Sequence, residues 1–68
     1  MIYHILECTK YGNELTSYAN ENLREIALNK LESEYAQEYK KDEISYADLS
    51  DITSGEVWID LYESEVQS

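Results

Sequence analysis

The sequence predicts an α+β fold in which one helix packs on a small three- or four-stranded antiparallel sheet, in the order β-(β)-α-β-β. Three observations predict it. The first residues, IYHILECT, alternate between two faces with period two. Residues 20 to 40 repeat apolar side chains at spacings of three and four, and EVWIDLYESEV near the end alternates again. One layer of helix covers one apolar sheet face and leaves the other to water or to another chain.

In IYHILECT, Ile2, His4, Leu6 and Cys8 fall on one side and Tyr3, Ile5, Glu7 and Thr9 on the other, the signature of a strand. Gly12-Asn13 is a turn signal, and LTSYA returns as a short second strand to complete a hairpin. From Asn20, the residues Leu23, Ile26, Ala27, Leu31, Tyr35 and Tyr39 form one helical stripe. Asn20 or Asn22 caps this helix, and Asn22 with Glu25 has the capping-box spacing. Glu21 and Glu25 suit its positive N-terminal end, and Lys40 and Lys41 its negative C-terminal end. ISYADLSDIT reads as a weaker strand: Ile44 and Tyr46 alternate, Leu49 and Ile52 fall out of step, and a bulge resets the register. A turn at Thr53 to Gly55 leads into the last strand, where Val57, Ile59 and Leu61 face the helix and Trp58, Asp60 and Tyr62 face away.

All 68 residues make one domain, without internal repeat, low-complexity tract or proline. A chain of this length supports a core that only just offsets the entropy lost on folding, so an enzyme-sized cleft is not expected. Small domains use disulfides, metals or partner subunits as staples. The single cysteine, Cys8, excludes an internal disulfide. One thiol, no secretory leader pattern and no apolar run near the roughly 20 residues of a membrane span give the expectation of a soluble, cytoplasmic protein. A 43% hydrophobic content with seven Tyr and one Trp is too rich for a disordered chain.

The chemistry available is limited. His4 and Cys8 lie about 13 Å apart along a strand, too far to share a metal or pass a proton. Asp48, Asp51 and Asp60 with Gly55 nearby match no calcium-loop spacing. No phosphate-cradling glycine loop and no nucleophile with a base at fixed offset stands out, so no catalytic residue, metal site or cofactor is expected and the protein reads as a non-enzyme. Trp58 and Tyr62 sit on the strand face turned away from the helix. Two large rings on an uncovered face of a marginal domain are either scattered aromatics on a partly exposed sheet or, the favoured expectation, the interface of a homodimer.

The charge is segregated. The formal net charge is −10, exceeding what solubility asks of a small domain and opposing contact with nucleic acid or an anionic membrane. Residues 1 to 41 hold seven acids against five bases. Residues 42 to 68, DEISYADLSDITSGEVWIDLYESEVQS, hold eight acids and no base: Asp42, Glu43, Asp48, Asp51, Glu56, Asp60, Glu63 and Glu65. On the helix, by contrast, the signs mix, with Glu25 beside Arg24, Glu34 near Lys30 and Glu38 near Lys41. Carboxylates two apart on a strand are about 6.7 Å apart, and one helical turn separates a pair by about 6 Å. Those distances are comparable to the phosphate spacing along a DNA strand, which rises about 3.4 Å per nucleotide on a longer path. The eight acids therefore either form a solvated face, as most acidic surfaces do, or are the contacts to a basic protein whose DNA-binding groove they would fill.

In length, in the β-α-β-β order, in the helix NENLREIALNKLESEY and in the acid-only C-terminal run, the chain resembles the small acidic DNA-mimic proteins with which bacteriophages take over their hosts. Within that class it is most similar to the phage inhibitors of the bacterial nucleoid protein HU. The resemblance implies a homodimeric protein inhibitor, acting in the host cytoplasm and reaching the nucleoid through HU, with surface carboxylates making the contacts. The same charge suits an inhibitor of a restriction or CRISPR complex. A non-mimic acidic adaptor would instead bind through Trp58 and Tyr62.

Overall fold

The computed structural model describes residues 1–65. Strand β1 (Ile2–Thr9) and strand β2 (Gly12–Tyr18) form an antiparallel hairpin, helix α1 (Glu21–Glu38) follows, and strand β3 (Trp58–Ser64) returns antiparallel to the other side of β1. The sheet order is β2-β1-β3. Residues 14 to 18 are thus a strand. The turn lies at Lys10-Tyr11, two residues before the Gly12-Asn13 signal. Thr9 explains the shift: its hydroxyl accepts from the Tyr11 N–H and donates to the Gly12 carbonyl, both at 3.1 Å. Gly12 joins the strand with φ +134, a conformation that L side chains rarely adopt.

Helix α1 lies over β1 and β2, and its bounds match the expected ones. The cap is Asn20, whose Oδ1 accepts from the Leu23 N–H at 2.9 Å, so the Asn22–Glu25 capping box does not form. The far end closes as a Schellman turn: Lys41 N–H donates to Ala36 C=O and Lys40 N–H to Gln37 C=O. Lys40 occupies the left-handed position at φ 56, at a cost of about 1 kcal/mol for a residue with a Cβ.

The helix is rotated relative to the expected stripe. Leu23 and Ile26 are 47% and 66% exposed, while Arg24, Leu28 and Ala36 are buried. Residues 44 to 53 also differ. They are not a strand but a 3-10 turn (Tyr46–Asp48) running into the short helix α2 (Leu49–Ile52), which together pack over β3. Tyr46, Leu49 and Ile52 are three apart, and that spacing places all three on one side of a helical turn. Leu49 is fully buried at the centre of the core, with Ile5, Leu28, Ala36, Ile44, Val57 and Ile59 around it. Tyr18, Tyr35, Tyr39 and Tyr46, all half-buried, pack against that core with Ile52 and Leu61.

α2 ends on a second Schellman turn, with Ser54 at φ 58 and Gly55 N–H donating to Ser50 C=O at 2.7 Å. The buried Thr53 ties this turn to β3: its hydroxyl donates to Leu49 C=O at 2.7 Å and accepts from Val57 N–H at 2.9 Å. Val57 and Ile59 then face the helix layer buried and Leu61 half-buried, as expected, with Trp58, Asp60 and Tyr62 on the bare face.

Tyr35 on α1 donates its hydroxyl to Glu7 Oε2 on β1, fastening helix to sheet. Burial, followed by the hydrogen bond to and the charge of Glu7, pushes the Tyr35 phenol well above the ordinary tyrosine range. The folded state therefore holds this proton at a pH where the unfolded chain has begun to lose it. Stability from this contact is complete below pH 10 and declines as pH rises above it. Chemical denaturation at stepped pH from 8 to 12 should show that decline, and Tyr35→Phe should be less stable at pH 8 yet lose less on going to pH 12.

Candidate functional site

The eight expected carboxylates all reach water, but they do not share one face. Asp42 and Glu43 lie in the loop after α1, Asp48 in the 3-10 turn, Asp51 on α2 and Glu56 just before β3. Asp60 projects from the bare face of β3, Glu63 from the helix-covered face, and Glu65 follows the strand end. Because residues 46 to 52 are helical, Asp48 and Asp51 belong to the helix layer rather than to a sheet surface.

Structure brings Asp42 and Glu43 together with acids from α1. Two adjoining grooves share Asn29 and Glu32. One is lined by Glu21, Arg24, Glu25 and Tyr46 among others, and the other by Ser33, Asp42 and Glu43. Glu21, Glu25, Glu32, Asp42 and Glu43 consequently form a row along the flank where α1 meets the 42–46 segment. From Glu21 to Glu32 the helix rises about 16 Å, and the loop acids extend the row. Glu32 anchors it by accepting the Tyr46 N–H at 2.8 Å. Sequence reasoning missed Glu21, Glu25 and Glu32 as members. The signal was present in their spacings of four and seven, which keep them on one flank of a helix.

Positive charge does little to offset this surface. Thirteen of the fifteen acids are exposed. Among the described residues the one ion pair is Arg24–Glu63, at 3.3 Å; the pairs expected on the helix surface do not form. Arg24 is buried, its guanidinium donating also to the Tyr62 carbonyl and lying 5.1 Å over the Tyr3 ring. Glu63 is thus committed to a buried cation inside its own molecule, unlike the other seven candidates.

The bare face of the sheet has the opposite character. Register and alternation place Ile2, His4, Leu6 and Cys8 from β1 beside Asn13, Leu15 and Ser17 from β2 and Trp58, Asp60, Tyr62 and Ser64 from β3. It holds a single acid, Asp60, and no Lys or Arg. Trp58 and Tyr62 are 43% and 40% exposed. His4 stacks on Tyr62 with ring centroids 4.6 Å apart, and its nitrogens lie 2.8 Å from Ser17 Oγ and 2.6 Å from Ser64 Oγ. Cys8 is buried on the same face opposite Trp58. No three His, Cys, Asp or Glu among the described residues converge as a metal site, and Asp60 lies apart from Asp48 and Asp51.

No protein-family model, curated protein or solved structure matches this chain. No helix among the described residues is long and apolar enough to cross a membrane.

The Arg24–Glu63 pair is asymmetric, and so are the consequences of breaking it. Removing Glu63 leaves a buried guanidinium without its counter-charge, whereas removing Arg24 leaves a carboxylate that water can solvate. Urea titration should find Glu63→Ala destabilised by about 1–2 kcal/mol and Arg24→Met by less than about 1 kcal/mol. Equal losses would contradict this reading of the pair.

Proposed function

We propose that this protein is a DNA mimic: a non-enzymatic inhibitor that lays its carboxylates on the DNA-binding surface of a basic host protein and keeps DNA off it. The nucleoid protein HU is the first candidate, on the strength of the resemblance to phage inhibitors of HU. The observation that carries the reading is the exposed, almost unpaired acid set centred on the row from Glu21 to Glu43, with Asp48 and Asp51 also exposed on the helix layer. A Lys- or Arg-lined groove meeting such a row exchanges its counterions for fixed carboxylates, as it does when it binds phosphates.

Magnitudes suggest that one copy is not enough. An exposed ion pair contributes about 0.5 kcal/mol net, so thirteen exposed carboxylates could supply only about 6–7 kcal/mol, even if every one made contact. Micromolar affinity needs about 8 kcal/mol. The linear charge tells the same story. Ten net charges along a 43 Å long axis is about one per 4.3 Å, against about one per 1.7 Å in duplex DNA. Two copies side by side reach about one per 2.2 Å. A homodimer joined through the bare sheet face, with Trp58 and Tyr62 on one side of the contact, achieves this while keeping the acid layers outward.

Titrating an HU–DNA complex with the protein at 50 and 200 mM salt tests the reading. Free DNA should appear at the lower salt, and the protein's own binding to HU, measured without DNA, should weaken at least tenfold at the higher one. Reversing Glu21, Glu25, Asp42 and Glu43 to Lys should weaken displacement about 100-fold while helical circular dichroism persists. Glu63 is left out of that set because its loss unseats Arg24. Binding to HU that survives both the reversal and high salt would contradict mimicry. If HU is not displaced, capture of another basic protein that added DNA competes away would redirect the proposal to a restriction, CRISPR or other nucleic-acid machine. Salt-insensitive capture abolished by Trp58→Ala would favour the acidic adaptor, a reading to which the exposed Trp58 and Tyr62 lend some support.

A further inference from the structure

Strand β2 is an edge, and the groove beside it is of a different kind from the acidic row. It runs between β2 and α1, with about 420 Å³ of free volume. Its floor is Ile5 and Glu7. Glu14 and Tyr18 line it from the strand and Leu31 and Glu34 from the helix. Lys30 is the single base on it. Gly12–Leu15 and Ser17 are exposed, so the strand's outer edge is open to solvent.

An edge strand aims alternate N–H and C=O groups outward, where they can pair with an added strand. A groove bounded by such an edge and a helix takes an extended peptide in β-addition, backbone bonds supplying affinity and alternate side chains supplying specificity. Here the side chains of an added strand that turn toward α1 would meet carboxylates beside apolar surface. Lys and Arg suit that mixture, because their aliphatic stems lie on apolar side chains while the charge reaches an acid. Successive positions on that side are about 6.7 Å apart, so a cation near Glu14 places its next same-side neighbour beside Thr16, in the groove that Tyr18 and Leu31 also line, where an aliphatic residue fits.

We infer that the β2–α1 groove binds an extended segment of a partner protein by β-addition, reading Lys or Arg at one position and an aliphatic residue two positions on. A second copy of this chain does not suit it. Pairing β2 with β2 would bring Glu14 of both copies to one seam, like charges side by side. The opposite edge, β3, carries Asp60 and Glu63, has the 3-10 turn and α2 packed over it, and is already tied to α1 by Arg24. The inference is independent of DNA mimicry, since the groove lies on the other flank of α1 from the Glu21–Glu43 row.

The test uses a fluorescent octapeptide, Thr-Lys-Thr-Val-Thr-Lys-Thr-Val with blocked ends, and a control of equal composition in which Lys and Val occupy adjacent positions. In ¹⁵N-labelled full-length protein, the alternating peptide should shift amide resonances of residues 12–18 and 27–34, and bind at least fivefold more tightly than the control. Glu14→Lys and Glu34→Lys should each weaken binding at least fivefold. Asp51→Lys, the same charge change on α2, should alter it less than twofold. Absence of binding at millimolar peptide, equal binding of the two peptides, or equal losses in all three variants would overturn the proposal. HU displacement is read separately and can fail or succeed without bearing on this result.

Discussion

Fifteen carboxylates on 68 residues must be kept in water or given a donor, and the rest of the structure depends on how that is done. Thirteen are exposed; the two half-buried ones, Glu7 and Glu32, accept from the Tyr35 hydroxyl and the Tyr46 N–H. Those two bonds connect α1 to β1 and to the start of the 3-10 turn. The one buried cation, Arg24, takes its carboxylate from the far end of the chain. Acids thus fasten the layers together at three points while the small aliphatic core fills the space between them. Tyrosine completes the core edge because its ring packs while its hydroxyl stays wet or finds an acceptor.

Much of the fold was legible because two periodicities are written plainly. Alternation marked β1 and β3 and the side of β3 that meets the helix. The Asn20 cap and the spacing of three and four marked α1. Phase was harder to read: Ala27, Leu31, Tyr35 and Tyr39 of the expected stripe pack on the core, but Leu23 and Ile26 do not, and Arg24, Leu28 and Ala36 are buried in their place. A local pattern prices arginine as exposed, and only a partner 39 residues away along the chain, Glu63, makes its burial tolerable. Residues 44 to 53 went wrong for a related reason. Tyr46, Leu49 and Ile52 were read as a strand with a faulty register, when their spacing of three was itself the signal of a helical turn.

The candidate site divided along the same line. Exposure of the eight C-terminal acids, and the bare-face placement of Trp58 and Tyr62, followed from composition and alternation. Which acids stand together did not, because the row from Glu21 to Glu43 crosses from helix to loop and exists only after the chain folds back on α1. Glu63 could not be separated from its neighbours until its bond to Arg24 was visible.

The resulting molecule has two surfaces of opposite character: an acidic helix layer and a nearly uncharged sheet face whose central histidine is already hydrogen-bonded on both nitrogens. Under the proposed function these surfaces answer to salt in opposite directions. Salt screens the attraction between the acidic layer and a basic partner, and it equally screens the repulsion between two copies carrying ten negative charges each. Sedimentation equilibrium of the purified protein at 50 and 500 mM salt measures the second effect directly. The expected result is a dimer whose association strengthens at the higher salt and is lost in Trp58→Asp. A protein that stays monomeric at both salts, or whose dimer weakens as salt rises, would contradict the division of labour between the two faces.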